Sequence, residues 1–153
     1  MYSKHFDQNI YAIKELGIVV SILLYLFSLT QWAYCTQSSC VFGFASMLTG
    51  WLAFYMGGVM LTWFANPAVI ISWLTVHKHP KTSLAFSFLA VVISISFLFF
   101  KQIYNHQDEW TSNIVSYGNG YFLWIASAIT MFAGNLLSLY SKFRSNKSLH
   151  KFN

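Results

Sequence analysis

Four stretches of this sequence carry no Asp, Glu, Lys or Arg over lengths that suit helices crossing a lipid bilayer: residues 16–34, 41–76, 84–100 and 121–140. A hydrocarbon layer of roughly 30 Å takes about 20 consecutive apolar residues in a helix. A Lys or Asp at the centre of such a span would cost about 2.5–3.5 kcal/mol, whereas each Leu, Ile, Val or Phe contributes favourably. Charged residues make up 8% of the chain and hydrophobic ones 56%, against roughly 25% charged in a soluble domain. Water would not hold such a surface. Strict alternation over ten-residue segments, the mark of a membrane β-barrel, is absent. The expected fold is therefore an all-α integral membrane protein in a single domain of 153 residues. Its form is an antiparallel four-helix transmembrane bundle with short links. The spans fall at about residues 16–34, 48–76, 84–104 and 121–141, followed by a basic tail over 142–153.

The basic residues orient such a chain. Lys4, Lys14, Lys78, Lys81, Lys142, Arg144, Lys147 and Lys151 fall on one side of four crossings, and Lys101 alone on the other. Short loops rich in Lys and Arg stay in the cytoplasm, so both termini are expected there. The first fourteen residues mix Lys4 and Lys14 with Asp7, and no small-residue cleavage site follows the first run. A retained first span serving as its own insertion signal is expected.

The second run is unusual because Asn66-Pro67 falls near the middle of residues 50–76. Two full crossings fail on length, since each half gives only about 20 Å of helix. A segment that dipped in and returned would put most basic residues on the wrong face. One crossing remains, expected to be kinked at Pro67, which removes an amide hydrogen and crowds the Trp63 carbonyl. In lipid that carbonyl needs a partner, and Thr62 and Asn66 are the nearest candidates. Gly57-Gly58 adds a second soft point. The kink reads as a packing feature, as a polar spot lining a path or pocket, or as a functionally silent proline.

Membrane helices associate through small residues that let backbones approach. Gly50, Ala53 and Gly57 form such a stripe in the second run, and Ser83, Ser87, Ala90 and Ser94 in the third. Ser127, Thr130, Gly134 and Ser138 do so in the fourth, with Asn135 beside them, and Gly17, Ser21 and Ser28 less fully in the first. Asn66 and Asn135 are the strongest polar groups within the spans; a buried amide is costly without partners, so they are expected to bond each other or a serine. Trp32, Trp51, Trp110 and Trp124 read as interfacial anchors. Trp63 and Trp73 lie deeper, their indole N–H groups seeking acceptors near the break.

Few residues suggest chemistry. Cys35 and Cys40 lie in the first outward connection, where a local disulfide, free thiols or a redox pair are open readings. The redox reading lacks the second cysteine pair that would pass electrons onward. His77 and His79 flank Lys78 without further metal ligands nearby, and read as a solvated basic turn. Lys142, Arg144, Lys147 and Lys151 suit anionic lipid headgroups, with no nucleic-acid partner expected. Asp108 and Glu109 read as a solvated loop cap. No phosphate loop, metal-ligand quartet or nucleophile elbow is present, and no cofactor, metal site or catalytic residue is expected. No carboxylate or lysine lies within a span, which removes the usual residues of a proton-coupled transporter.

The stretch TWFANPAVIISW, with GYFLWIAS at residues 120–127, resembles small bacterial four-span inner-membrane proteins, themselves uncharacterised. Trp63, Ala65, Asn66 and Pro67 match their Trp-x-Ala-Asn-Pro element, and Gly120, Tyr121, Leu123 and Trp124 their Gly-Tyr-x-Leu-Trp pattern. The resemblance covers about residues 50–130 and implies a fold and a bacterial inner membrane, not an activity. The functional expectation is a small binding protein without catalysis, serving immunity to a membrane-active toxin or phage exclusion. Its partners would be the bilayer and another membrane protein or a second copy. The rival is a small channel or transporter subunit with a polar path near Asn66 and Asn135; a redox helper or enzyme stands third.

Overall fold

Long uncharged runs become long helices because a helix satisfies its own backbone without water. The structure, a computed structural model, describes residues 2–52, 58–104 and 111–149. Among these residues five α-helices form: α1 (Tyr2–Leu29), α2 (Gly43–Thr49), α3 (Ala65–Thr75), α4 (Pro80–Ser96) and α5 (Asn119–Leu149). Four strands join them: β1 (Trp32–Thr36), β2 (Cys40–Phe42), β3 (Gln102–Tyr104) and β4 (Thr111–Tyr117). They make an antiparallel sheet in the order β2-β1-β4-β3. Among the described residues three helical stretches are long and apolar enough to cross a membrane: Tyr11–Leu29, Pro80–Phe99 and Asn119–Phe143.

The expected four-helix transmembrane bundle is thereby overturned, first at the second run. The stretch expected as one kinked span over 48–76 is broken. The short α2 passes into a 3-10 turn at Gly50–Leu52, and a second 3-10 segment, Gly58–Phe64, leads into α3. With 11 residues, α3 rises only about 16 Å, half of a hydrocarbon layer. Nor are the pieces collinear. The Trp63 indole donates to the Met47 carbonyl at 2.9 Å, whereas one continuous helix would hold those residues about 24 Å apart. Gly50 permits this return, because a Cβ there would overlap the Trp63 ring. Pro67 does not kink a helix interior. It is the third residue of α3, in the first turn, where its missing amide hydrogen has no intrahelical partner to lose.

The second correction concerns the connections, read as watery loops and in fact paired as strands. β1 lies against β2 through Tyr34 opposite Val41 and Cys35 opposite Cys40. It lies against β4 through Tyr34 opposite Tyr117 and Cys35 opposite Ser116. β3 completes the sheet against β4, with Ile103 opposite Ser112. Aromatic and β-branched residues such as Trp32, Tyr34, Val41, Ile114 and Val115 suit a pleated, half-buried surface. Consequently α1 stops at Leu29 rather than running to residue 34, and the third span gives way to strand at Gln102. At the other extreme α5 runs on to Leu149, so residues 142–149 are helix and not a separate tail. Lys142 is exposed there; Arg144 and Lys147 lie on the last turns of α5. Lys151, Ala53, Gly57, Asp108, Glu109 and Trp110 lie outside the described residues.

Cys35 and Cys40 are joined by a disulfide across the β1–β2 hairpin. Chain-entropy reasoning for so short a loop gives about 2 kcal/mol. The Cys35→Ser/Cys40→Ser double variant is expected to lose that much, read as a lower midpoint of thermal unfolding in detergent with helical content retained.

Two helix pairs form the body. α1 and α5 run antiparallel, with Gly17 facing Gly134; a Cβ on either would stand 3.4 Å from the other's Cα. α3 and α4 run antiparallel from the turn after Thr75, which closes with the His79 amide donating to the Thr75 carbonyl at 2.7 Å. Pro80 opens α4 at its first position, where the ring's fixed φ suits a helix start. One core, around Tyr25, Ala68, Val69, Ala90 and Ala128, lies between the pairs. A second, of Val59, Phe97, Ile103 and Tyr121, lies under the sheet. Large apolar side chains such as Leu23, Phe27, Phe88, Val92, Phe122 and Leu137 are exposed on the outer faces. The start of α1, the turn at 77–79 and the end of α5 lie opposite the sheet, where Glu15 stands 3.6 Å from His77.

Candidate functional site: the cavity floored by Asn66

Asn66 sits on the first turn of α3, buried, and its side chain joins three elements. Its Oδ1 accepts from the Tyr25 hydroxyl of α1 at 3.0 Å and from the Trp124 indole of α5 at 2.9 Å. Its Nδ2 donates to the Trp63 carbonyl at 3.0 Å. That carbonyl is the one four residues before Pro67, which no proline nitrogen can serve. Because an indole nitrogen only donates, the Trp124 contact fixes which atom of the amide is oxygen. Trp124, half-buried, is thus a partner of Asn66.

Asn135, on α5, forms a separate network and does not meet Asn66. Its Nδ2 lies 2.9 Å from Ser83 Oγ, 3.1 Å from Ser87 Oγ and 3.3 Å from Ser72 Oγ. Each of those hydroxyls already spends its proton on a backbone carbonyl: Ser72 on Ser83, Ser83 on Ser72 and Ser87 on Leu84. Only acceptor lone pairs remain, so the amide must donate. The same reciprocal pair recurs between α1 and α5. Ser21 donates to the Ser127 carbonyl at 2.9 Å and Ser127 to the Ser21 carbonyl at 2.8 Å. The Trp73 indole caps that pair by donating to Ser21 Oγ at 2.9 Å.

Each interhelical bond of this kind is worth only about 0.6 kcal/mol on average. Their larger effect is on register, because sliding one helix by a turn of about 5.4 Å would break both bonds of a reciprocal pair. Ser83, Ser87, Ala90 and Ser94 are all fully buried along one face of α4. Thr130 turns its hydroxyl onto its own helix, donating to the Ala126 carbonyl at 2.7 Å, while its carbonyl lies near Gly17. Among the described residues, no buried side-chain nitrogen or oxygen lacks a partner.

Between Asn66 and the sheet lies a cavity of about 90 Å³. Ala33 and Tyr34 of β1 border it, with Met47 and Gly50 on one side, Phe97 and Ile103 on another, and Gly120 and Tyr121 from the start of α5. Ser28, Ser46, Thr49, Thr62 and Trp63 also line it; Asn135 does not. Burial pushes the Tyr34 phenol above its ordinary value, so it stays neutral at physiological pH. Among the described residues no Asp, Glu, Lys, Arg or His lines the space. Gly50 was legible as a small-residue position, and Thr62, Trp63 and Asn66 as the surroundings of the break. Tyr25, Ser72 and Trp124 were missed as polar partners; Tyr25 had a signal in its helical spacing from Ser21 and Ser28.

Among the described residues no three His, Cys, Asp or Glu side chains gather as a metal site would require. No protein-family model, curated protein or solved structure matches this chain.

Proposed function

We propose that the protein is a membrane-embedded binding protein without catalytic activity, conferring immunity to a membrane-active toxin or excluding a phage. The membrane is a bacterial inner membrane, with the α1 start, the turn at 77–79 and the α5 end in the cytoplasm. One observation carries this reading: among the described residues every buried side-chain nitrogen and oxygen has a partner within the chain, while apolar side chains cover the outer helical faces. Such a body is stapled inside and offers its recognition surface to other membrane segments. Lys14, Lys78, Lys81 and Lys142 gather at the end opposite the sheet, which supports the orientation through the positive-inside rule. A continuous polar path is disfavoured, since Asn66 and Asn135 belong to separate networks.

Expression in a sensitive bacterium is expected to raise survival against one or more inner-membrane pore formers or phages. Unchanged sensitivity across such a panel, combined with solute flux into proteoliposomes that Asn66→Leu abolishes, would contradict the reading and favour a channel.

A further inference from the structure

We infer that the cavity between Asn66 and the sheet is a binding site for a small neutral molecule with an apolar body and a single hydroxyl. This goes beyond the proposed function and does not depend on it. Size sets the first limit. A cavity of about 90 Å³ is smaller than the ~150 Å³ apolar cavity that admits benzene, so it holds about four or five non-hydrogen atoms of a guest.

Charge sets the second limit. With no ionisable Asp, Glu, Lys, Arg or His among the described residues of the lining, an ammonium or carboxylate would find no charged partner there out of water.

The unspent hydrogen-bonding capacity sets the third. Ser28, Thr49 and Thr62 commit their protons to the carbonyls of Tyr25, Ala45 and Val59 at 2.6, 2.9 and 2.7 Å. Their oxygens keep acceptor lone pairs. Asn66 donates one of its two amide hydrogens to Trp63 and retains the other. A hydroxyl can donate to one of those oxygens and accept from that amide. Met47, Val59, Phe97 and Ile103 then offer apolar wall to the apolar body. Water alone would waste that apolar wall, and an alkane would leave the amide hydrogen unanswered.

The probe is 1-butanol, titrated into the full chain in lipid nanodiscs and followed at the six tryptophan indole N–H resonances. Saturable shifts are expected at Trp63 and Trp124, which line the cavity, with Trp32 and Trp51 unmoved. Butylamine and butyrate, charged at neutral pH, are expected to bind roughly 100-fold more weakly. Ser46→Leu fills the space from a lining residue outside the Asn66 network, and should abolish the response while leaving the Trp124 resonance in place. Uniform, non-saturating shifts at all indoles, no shift at all, or a response that survives Ser46→Leu in a folded protein would each overturn the assignment. If Ser46→Leu fails to fold, the charged probes decide: butylamine binding as tightly as 1-butanol overturns it.

Discussion

Replacing Asn66 with leucine is expected to cost about 2–4 kcal/mol, more than the loss of any other single polar side chain among the described residues. Leucine keeps the branched heavy-atom skeleton of asparagine but is larger, so a packing cost adds to the loss of hydrogen bonds. Three groups lose their partner at once: the Tyr25 hydroxyl, the Trp124 indole and the Trp63 carbonyl. An orphaned buried donor or acceptor costs about 1–3 kcal/mol in water-soluble proteins. Measured interhelical bonds in membranes are weaker because the unfolded chain also finds partners, which sets the lower end of the range. The matched comparison is Asn135→Leu. Ser72, Ser83 and Ser87 would keep their own carbonyl bonds and lose only an incoming donor. About 1 kcal/mol is expected there. The check is the unfolding midpoint of both variants in one detergent; equal losses would deny Asn66 its role as a three-way junction.

The second large effect is expected at Gly120. A Cβ there would stand 2.8, 2.9 and 3.0 Å from the carbonyl oxygens of Trp32, Ser28 and Gln31. These are backbone atoms at the junction of α1 with the sheet, and no rotamer change removes them. Gly120→Ala should therefore cost about 1–3 kcal/mol by forcing α5 away from that junction. The sign is the informative part, since alanine ordinarily gains up to about 1 kcal/mol over glycine within a helix. Gly134→Ala supplies the contrast: its Cβ would meet Gly17 Cα at an ordinary 3.4 Å, and the variant should be neutral or stabilised. Parallel stabilisation of both would show that α5 does not press on the end of α1.

Several features of this arrangement were legible because they rest on long periodic signals. Three of the four uncharged runs hold helices of spanning length. Spacing alone put Ser83, Ser87, Ala90 and Ser94 on one face, and that face is buried. The second run misled because apolarity fixes a preference for leaving water, not a continuous helix. Whether Pro67 bends a helix or begins one depends on what precedes it. Here Gly50 lets Trp63 pack back on Met47, a contact between residues sixteen apart that no local pattern encodes. The strands were hidden for a related reason. β2 and β3 have three residues each, too few for alternation to be counted, and β1 and β4 are held by long-range pairing. Trp124 shows the same limit in a single residue. Its place near a span end suggested an interfacial ring, whereas α3 brings Asn66 to its indole nitrogen.

The return of the second run beside Trp63, which leaves the cavity open above Asn66, is tested most directly by disulfide cross-linking. Gly50→Cys and Trp63→Cys would be introduced together in a Cys35→Ser/Cys40→Ser background, with Ser21→Cys/Ser127→Cys as reference, a pair whose hydroxyls lie 3.1 Å apart. Rapid intramolecular cross-linking of both pairs is the expected result, because a Cβ at residue 50 touches the residue 63 side chain. A reference pair that closes while residues 50 and 63 stay unlinked, as they would about 20 Å apart on one continuous helix, would contradict the fold-back and the cavity with it.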